Sequence, residues 1–352
     1  MFLHHALPHE VAFYTKFGVW DPVARLLSGI GAMGAFGVDV FFVLSAYLIT
    51  EILLREKSLI GELDVKAFYL RRALRIWPLY FSFLGFAAVL AVFMPGQHIG
   101  WKAGAAFSLL AGNWWVVAQG FPSSIIFPLW SVSIEEQFYL VWPMVVRRLR
   151  TSAILAAAIA MIAVATLVRI YLGMHLAGET QIWCNTLARL DPIAVGILLA
   201  ILLRGRAPVM SGLARAALAS AGILALAVAA NYFRVKYDPV TIPRIALGYP
   251  VAALGAAAVL LAMLSAKAPL HKSALVYLGR ISYGLYVYHI LGLMCSDYMV
   301  AHAESSFWRF MGRDAIAFTL TVTFAAVSYR WLEEPFLRLK QRFTHVLSRP
   351  GG

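Results

Sequence analysis

The sequence predicts an all-α protein, a polytopic transmembrane helical bundle of about ten spans that includes a truncated first helix. Composition is the first reason: 61% of the 352 residues are hydrophobic, 13% are charged, and the mean hydropathy is +0.77. Apolar runs also reach, again and again, the ~20 residues that a helix needs to cross a bilayer. Short basic clusters separate these runs, as in the cytoplasmic connections of membrane proteins. We assign residues 1–340 to one transmembrane domain and residues 341–352 to a short basic cytoplasmic tail.

Charge and cysteine content narrow the class of protein further. The 30 Lys and Arg residues exceed the 17 Asp and Glu residues and give a net charge of +13. In a membrane protein this excess is first a topology signal and only second a hint of anionic partners. The basic residues build no separate domain, so we expect the lipid bilayer as a partner and no nucleic acid. Cys184 and Cys295 match no metal spacing, and no metal is expected.

The chain begins with an apolar fragment, Met1 to Leu7, which Pro8 ends well short of the ~20 residues of a span. Either this first helix lacks its front half or the true start lies upstream. Four side chains there suggest a metal cluster: His4, His5, His9 and Glu10. Because Pro8 breaks the helix that would bring His5 and His9 to one face, we disfavour that interpretation. We expect an amphipathic loop from there to about Ile30.

A G-x-G-x-x-G pattern at residues 29–34 would indicate dinucleotide binding if it followed a strand and opened a soluble βαβ unit. Here the next segment, Ala35 to Leu54, is a membrane helix, so the pattern favours close packing of helices. Two polar residues fall within that helix, Asp39 near its outer end and Ser45 near its middle.

A polar connection from Arg55 to Lys66 precedes a basic block and the span Ile76 to Met94. The block contains Arg71, Arg72 and Arg75. Arg71 and Arg75 share a helix face because they are four positions apart, and such a pair can hold phosphate as a forked donor. The positive-inside rule marks the same connection as cytoplasmic, which is the side from which a CoA-type ligand would arrive.

The apolar piece Ala103 to Val117 is short and ends in Asn113, Trp114 and Trp115, so we interpret it as interfacial or re-entrant. Leaving it out of the span count puts the later basic clusters on the cytoplasmic side, as the positive-inside rule requires. These clusters are Arg147, Arg148 and Arg150; Arg204 and Arg206; Lys267 and Lys272; and Arg338, Lys340 and Arg342.

The segment Pro128 to Pro143, PLWSVSIEEQFYLVWP, places two adjacent carboxylates, Glu135 and Glu136, in an apolar and aromatic stretch that, with Met144 to Val146, is long enough to be a span. An acidic side chain at a helix centre costs about 2.5 to 3.5 kcal/mol. Two in succession therefore indicate a cavity, a partner or a reaction rather than contact with lipid. The alternative is a structural role, in which a carboxylate locks a helix pair through a buried arginine.

Six further spans are expected: Ser152 to Leu172, Leu187 to Leu203, Leu213 to Phe233, Ile245 to Ser265, Ile281 to Met299 and Ala315 to Leu332. Polar residues recur inside them: Arg169, Arg189 with Asp191, His289 with Tyr283, Tyr286 and Tyr288, and Arg330 with Glu333. Together they imply a polar interior or a water-filled cavity, although any single one is better explained by a structural ion pair than by catalysis.

A polar cavity in the membrane suits a transporter, a channel or an enzyme, and three features favour an enzyme. An imidazole early in the chain can act as a general base near neutral pH. A carboxylate in the segment after Trp130 can orient or stabilise that imidazole. A cytoplasmic arginine pair can hold the phosphates of a diffusible acyl donor. No P-loop, G-x-S-x-G or H-E-x-x-H motif occurs, which leaves ATP hydrolysis, serine hydrolase chemistry and zincin chemistry without support.

Six sequence blocks carry a family pattern: GVDVFFVLSAYLIT (37–50), FYLRRALRIWPLYF (68–81), PLWSVSIEEQFYLVWP (128–143), RLDPIAVGILLA (189–200), LGRISYGLYVYH (278–289) and YRWLEEPFLRL (329–339). In this order they resemble the acyltransferase 3 family, which includes integral-membrane O-acetylases of bacterial surface polysaccharides. The resemblance implies an enzyme of the bacterial inner membrane, and the count of about ten spans puts both termini on the cytoplasmic side. Such an enzyme takes an acyl group, usually acetyl from cytoplasmic acetyl-CoA, and delivers it to a hydroxyl of a carbohydrate or lipid-linked acceptor at the outer face.

The resemblance also implies a catalytic histidine. The family has an arginine eleven positions before that histidine, and here the arginine would precede Met1. Counting back from the block that follows favours His5 over His4. A stub is a poor platform for a positioned base, so the missing front of the helix bears on activity. Ala46 is a smaller departure, since many relatives have glycine after the serine.

Two more family blocks imply the donor site and the carboxylate. The basic block corresponds to Arg72 and Arg75, with Arg71 adjacent, as the group that binds acyl-CoA. The W-S-x-x-x-E block corresponds to Trp130, Ser131 and Glu135, which favours Glu135 over Glu136 as the functional carboxylate. Supporting roles are predicted for His4, Asp39, Ser45, Trp130, Ser131, Tyr139, Arg189, Asp191, His289 and Glu333.

We expect direct transfer, in which His5 accepts the proton of the acceptor hydroxyl while its oxygen attacks the thioester carbonyl. Glu135 would support a cationic partner or the imidazole, or be only a structural partner of Arg72. A covalent acyl-histidine intermediate fits the same residues. About twenty residues follow the last span, so no fused C-terminal domain is expected, and the protein would complete the transfer itself or hand over to a separate partner.

A transporter or flippase for an amphipathic or lipid-linked substrate is the alternative function. It would also need a polar interior and arginines, but it predicts inverted repeats, which the sequence does not display. A purely structural membrane subunit is a third interpretation, in which the histidine, glutamate and arginines have no chemical role.

Overall fold

A computed structural model describes residues 1–175, 177–236, 239–266, 274–300 and 306–343. These residues form helices and connecting turns with no β-strand, which confirms the all-α prediction. The first nine helices are α1 Phe2–Ala6, α2 Val11–Thr15, α3 Asp21–Met33, α4 Gly37–Ile60, α5 Val65–Phe93, α6 Trp101–Ser108, α7 Gly112–Gln119, α8 Trp130–Arg148 and α9 Thr151–Met174. The others are α10 Glu179–Trp183, α11 Leu190–Leu203, α12 Gly212–Asn231, α13 Ile242–Leu264, α14 Ala274–Arg280, α15 Ser282–Val300, α16 Phe307–Ser328 and α17 Glu334–Gln341.

Among the described residues, six helical stretches are long and apolar enough to cross a membrane, so the chain is an integral membrane protein. They are Asp21–Ile60, Val65–Phe93, Thr151–Met174, Gly212–Asn231, Ile242–Leu264 and Phe307–Lys340. Three other predicted spans differ from these: α11 has only 14 residues, and α8 and α15 carry several polar or charged side chains. The count of about ten spans therefore stays a prediction.

Two predicted connections are wrong because they are helical. The expected loop before Ile30 contains α2 and α3, and a single 3₁₀ turn joins α3 to α4. Pro22, in the first turn of α3, suits a helix start, because its fixed φ is preorganised and its missing N–H would have no partner there. The polar connection after Arg55 is likewise shorter than expected, since α4 continues to Ile60 and ends at Gly61, whose φ is +84°.

The segment interpreted as interfacial or re-entrant is broken into two short helices, α6 and α7, of eight residues each. The break lies at Leu110, whose φ of +56° cannot continue a right-handed helix. Neither helix is long enough to cross a bilayer, which agrees with leaving this segment out of the span count.

The G-x-G-x-x-G pattern lies at a helix contact, as predicted, where α1 packs against α3 and the turn that follows it. A Cβ placed on Gly31 would lie 3.1 Å from Leu7, and one on Gly34 would lie 2.9 Å from the backbone nitrogen of His4. Met1 packs against Gly37 in the same way, at the opposite end of α4 from Arg55. Small residues along α3 therefore hold α1, and with it the histidines, against the bundle.

Three buried ion pairs tie the helices together. Arg189 contacts Asp39 of α4 at 2.8 Å, and Arg169 of α9 contacts Asp191 of α11 at 3.0 Å. The side chains of all four residues are 2% exposed or less. Arg71 of α5 contacts Glu56 of α4 at 3.0 Å. Each of these charges has a structural partner, as expected for any single intramembrane charge, and no ion pair joins Arg330 to Glu333 among the described residues.

Candidate active site

A cavity of about 270 Å³ lies among α4, α5, α8 and α15, and we call it the arginine cavity. Its lining includes Ser45, Arg72, Arg75, Glu135, Tyr139 and Tyr283. The helices explain this convergence, because Arg72 and Arg75 lie on one side of α5, while Glu135 and Tyr139 are four positions apart on α8 and share a face. Six residues singled out in the sequence are thus brought together by four helices.

The Glu135 carboxylate is the most buried charge of the arginine cavity, with 3% of the residue exposed. Its Oε1 atom has no hydrogen-bond partner among the described residues. The hydroxyls of Ser45 and Tyr139 lie beside it and contact each other at 2.5 Å. Burying a carboxylate oxygen without a partner is costly, so this oxygen is positioned for an interaction that the protein alone does not provide.

Arg72 also lacks an ion-pair partner among the described residues. Its guanidinium lies over the rings of Phe68 and Tyr139, with centroid distances of 5.6 and 5.8 Å. Its Nε is buried without a hydrogen bond. No ion pair within 4.0 Å joins Arg72 to Glu135 in the described part of the chain, so the structural pairing of these two residues, left open by the sequence, is not formed here.

Arg71 has a different environment from Arg72 and Arg75. Its guanidinium pairs with Glu56 and donates a 2.8 Å hydrogen bond to the carbonyl of Phe343, and it does not line the arginine cavity. The forked pair expected from Arg71 and Arg75 is therefore not available as a phosphate clamp. The sequence could not reveal this, because Glu56 lies 15 positions earlier on another helix.

A second cavity, of about 630 Å³, contains His5, and we call it the histidine cavity. Its lining includes His5, His9, Phe13, Lys16, Asp297 and Phe310. Residues of α1 and α2 meet the ends of α15 and α16 here, on the far side of the bundle from the arginines of α5. The cavity is larger than the arginine cavity and has both aromatic and charged walls.

The two adjacent histidines of α1 differ in the hydrogen bonds of their rings. His4 is buried; its Nδ1 contacts the carbonyl of Gly31 at 3.0 Å, and its Nε2 contacts the ammonium of Lys236 at 3.3 Å. His5 is half-buried, and neither of its ring nitrogens has a hydrogen-bond partner among the described residues. Burial lowers the pKa of His4 to about 3 and also lowers the pKa of His5, so both rings are neutral at pH 7. The Nε2 of His9 donates to the His4 carbonyl at 2.9 Å instead of turning toward a metal.

His5 and Glu135 do not meet, because each lines a different cavity. A chain of contacts connects them. The His5 ring lies 5.1 Å from that of His289, His289 lies 5.7 Å from Tyr286, and the Tyr286 hydroxyl contacts Ser131 Oγ at 2.6 Å. Ser131 precedes Glu135 by one helical turn, about 6 Å along the axis. Tyr286 also stacks on Phe41, which lines the arginine cavity, so this tyrosine lies between the two cavities.

The other predicted supporting residues have packing roles in this structure. Asp39, Arg189 and Asp191 form the buried ion pairs of the bundle, and Trp183 lies over the Arg189 guanidinium at 4.2 Å. Trp130 is buried against Trp183. Glu333 is buried in the π-helical turn after α16. None of these residues lines the arginine cavity or the histidine cavity.

Lys236 was missed by the sequence reasoning. It lies after α12 in the connection to α13, contacts His4 and lies 4.7 Å from the centroid of the Trp183 ring. Burial lowers its pKa from the usual lysine value. A single lysine between two spans carries no motif, so only the fold brings it to the histidines.

A helical membrane protein with arginines and a buried carboxylate in a cavity at one side, and an open imidazole in a cavity at the other, has the elements of a membrane-embedded acyl-transfer enzyme. Residues 1–330 match the family model described as an acyltransferase domain, and the chain belongs to the acyltransferase 3 family. The resemblance inferred from the six sequence blocks is thereby confirmed.

Named relatives share this region. The chain is 28% identical over 361 residues to the "Putative peptidoglycan O-acetyltransferase YrhL" of Bacillus subtilis, covering 94% of this chain and 55% of that protein. It is 37% identical over 132 residues to the "Peptidoglycan O-acetyltransferase OatA" of Listeria monocytogenes, covering 34% of this chain and 21% of that protein. It is 25% identical over 339 residues to the "Putative O-acetyltransferase SACOL0978" of Staphylococcus aureus, covering 86% of this chain and 52% of that protein.

The chain spans about half the length of the YrhL and SACOL0978 proteins. No solved structure matches the chain.

Proposed function

We propose that this protein is an O-acyltransferase that moves an acetyl group from cytoplasmic acetyl-CoA to a hydroxyl of a cell-wall polysaccharide on the other side of the membrane. The observation that carries the proposal is the pair of cavities at opposite ends of α15. Ser282 and Tyr283 line the arginine cavity, whereas Asp297 and Val300 line the histidine cavity. The printed names of the relatives support an O-acetyltransferase with peptidoglycan as the acceptor.

The arginine cavity is the proposed donor site. Arg72 and Arg75 have the charge to bind the phosphates of CoA, and Arg72 lacks an ion-pair partner among the described residues. The volume of about 270 Å³ is below the roughly 300–1,000 Å³ of pockets that enclose a drug-sized ligand. We therefore expect the cavity to take the thioester end of acetyl-CoA, while the nucleotide remains at its mouth.

The histidine cavity is the proposed acceptor site, with His5 as the general base. His5 takes the proton of the acceptor hydroxyl, the new C–O bond forms as the C–S bond breaks, and the proton then passes to the thiolate of CoA. His5 suits this role better than His4, because His4 has both ring nitrogens in hydrogen bonds. A covalent acyl-His5 intermediate would use the same residues.

In a catalytic triad the carboxylate contacts the histidine, but Glu135 does not contact His5. It lies with Arg72 in the arginine cavity and is separated from His5 by Tyr286 and Ser131. We propose that its charge supports the cationic donor site and does not act on the imidazole. For direct transfer, the side chains of Phe41 and Tyr286 must part so that the thioester can reach His5.

Membranes that contain the protein, supplied with radiolabelled acetyl-CoA and cell-wall glycan, test the proposal. We expect label on the glycan, and a loss of about 100-fold or more in His5→Ala, because a general base contributes about 10²–10⁴-fold. Arg72→Ala is expected to raise the KM for acetyl-CoA, and Glu135→Gln to lower the rate. Glu136→Gln is the matched control for Glu135→Gln, since Glu136 accepts a hydrogen bond from Trp77 and does not line the arginine cavity.

The amount of folded protein is measured in each case by gel filtration in detergent. If the protein transports a lipid-linked substrate and no glycan becomes labelled, the acyltransferase function is rejected in favour of the flippase function. Equal activity of Glu135→Gln and Glu136→Gln would remove the proposed role of Glu135.

A further inference from the structure

We propose that His289 is a positioning residue that accepts a hydrogen bond from His5 and so fixes the tautomer in which His5 acts as the base. This inference rests on the proposed function of His5. The His289 ring lies between the His5 ring and the Tyr286 ring, and we assign it a role that is distinct from packing.

The tautomer of His289 follows from its hydrogen bond. The Nδ1 atom lies 2.5 Å from the backbone carbonyl of Tyr286. A carbonyl oxygen can only accept, so Nδ1 carries the proton and donates it. In the neutral ring the other nitrogen, Nε2, then has a lone pair and is an acceptor.

The Nε2 acceptor of His289 is buried and has no partner among the described residues. The residue as a whole is 1% exposed. Buried acceptors without a partner are rare, because each has lost its hydrogen bond to water. A second group is therefore expected to approach this nitrogen in the working enzyme.

The ring of His5 is the candidate for this group, because it lies beside the ring of His289. The two ring centroids are 5.1 Å apart and the ring planes are inclined by 38°. His5 has no hydrogen bond from its ring among the described residues, so rotation about its side-chain torsions breaks no existing bond. We expect such a rotation to bring an N–H of His5 within hydrogen-bonding distance of His289 Nε2, since the ring centroids are already only 5.1 Å apart.

This hydrogen bond has a chemical consequence for His5. A neutral imidazole has one N–H and one lone pair, and a base is effective only when the lone pair points at the proton it must take. With its N–H held by His289, His5 presents its other nitrogen to the histidine cavity. When His5 takes the proton of the acceptor hydroxyl, the N–H toward His289 remains in place, and His289 neither gains nor loses a proton.

Two substitutions distinguish the role of the Nδ1 donor of His289 from the role of its Nε2 acceptor. In His289→Asn the amide nitrogen can keep the donor to the Tyr286 carbonyl, but no acceptor reaches toward His5. In His289→Gln the longer side chain can place its amide oxygen near the position of Nε2. We expect His289→Asn to lower kcat by about 10- to 100-fold, the loss that follows removal of the group that orients a metal-bound imidazole, with an unchanged KM for acetyl-CoA. His289→Gln is expected to restore most of the rate.

His98→Asn is the matched control, because His98 is exposed in the connection between α5 and α6 and lines neither cavity. Equal loss in the folded Asn and Gln variants would overturn the inference, since packing alone would then explain the effect. Full activity in His289→Asn would overturn it as well.

A measurement on the unsubstituted protein keeps the inference testable if the variants fail to fold. With ¹⁵N-labelled histidine, the His5 signals are assigned by their loss in His5→Ala, and a single tautomer is expected. A mixture of the two tautomers would overturn the inference. If instead the protein transfers no acetyl group, or His5→Ala is fully active, the proposed function fails while the nitrogen signals still report on the hydrogen bond itself.

Discussion

Two adjacent histidines of α1 differ because neighbouring residues of a helix point in directions about 100° apart. His4 therefore points into the protein toward Gly31 and Lys236, whereas His5 points toward the histidine cavity and His289. The chemistry of each ring follows from this difference. His4 has both nitrogens in hydrogen bonds and can stabilise the fold, while His5 keeps its nitrogens available for a reaction.

The pH dependence of the reaction tests the electrostatics of His5. Burial lowers the pKa of His5, and His289, His4, the ammonium of Lys236 and the Met1 amino group add to the effect. A lowered pKa keeps His5 neutral, and thus active as a base, below the ordinary imidazole value of about 6.5. Lys236→Met removes a positive charge, so the pKa of His5 should rise and the acid limb of kcat/KM should move to higher pH.

This shift is measured by following kcat/KM from about pH 8 down to the lowest pH at which the protein stays folded, because a lowered pKa puts the acid limb of His5 below the range in which free imidazoles titrate. Lys102→Met is the matched control, because Lys102 is exposed beside Trp101 and lines neither cavity. An unchanged acid limb in Lys236→Met, or a move to lower pH, would contradict the assignment of His5 as the titrating base.

At the scale of the helix, the long apolar spans could be predicted and the irregular segments could not. Helices α9, α12 and α13 begin and end within about three residues of the expected spans, because hydropathy alone defines them. The prediction of a loop before Ile30 was wrong, because α2 and α3 are short or amphipathic and are stabilised by packing, α2 against α3 and α3 against α1 and α12. The local sequence does not specify these contacts, because some of their partners lie far away in the chain.

The contact between α1 and the turn after α3 holds His5 in place, and Gly34 tests it. A Cβ at Gly34 would lie 2.9 Å from the His4 backbone nitrogen, so Gly34→Ala should push α1 away. Such overpacking costs about 1–3 kcal/mol. We expect acetyl transfer to fall strongly and the melting temperature in detergent to fall modestly, since most of the bundle does not depend on α1.

Gly85→Ala is the matched control for Gly34→Ala. Gly85 lies on the exposed face of α5, and a Cβ there would meet no atom within 4 Å. In a helix interior, alanine is favoured over glycine by about 1 kcal/mol, so this variant should be as stable as the unsubstituted protein or slightly more so. Full activity of Gly34→Ala would show that α1 tolerates displacement and that His5 needs no fixed position.

For the whole molecule, the sequence could predict the members of the site but not their separation. His5, Arg72 and Glu135 belong to local motifs, and all three line cavities. That they line two different cavities depends on how α1, α8 and α15 pack, which no local motif specifies. Long-range packing also explains Arg71, which pairs with the distant residue Glu56 and does not line the arginine cavity. Long-range packing therefore decides which of several suitable side chains are available for chemistry.

The orientation of the bundle decides whether the arginine cavity can receive a cytoplasmic donor. The helical stretch Asp21–Ile60 passes the arginine cavity at Ser45 and has Arg55 and Lys57 near one end. The positive-inside rule predicts that this end is cytoplasmic. Single cysteines at Ser58, near the basic end, and at Trp20, just before the other end, can report the side of each end, because both residues are exposed.

Labelling with a membrane-impermeant maleimide in intact cells should reach Trp20→Cys, and it should reach Ser58→Cys only after permeabilisation. The background carries Cys184→Ser and Cys295→Ser, which remove the two native thiols and must themselves give no signal. The helix is long enough for this result, since 38 residues at 1.5 Å each extend about 57 Å and the hydrocarbon core is about 30 Å thick. Labelling of Ser58→Cys from outside would place the arginines on the wrong side for acetyl-CoA, and the histidine cavity could then no longer be the acceptor site.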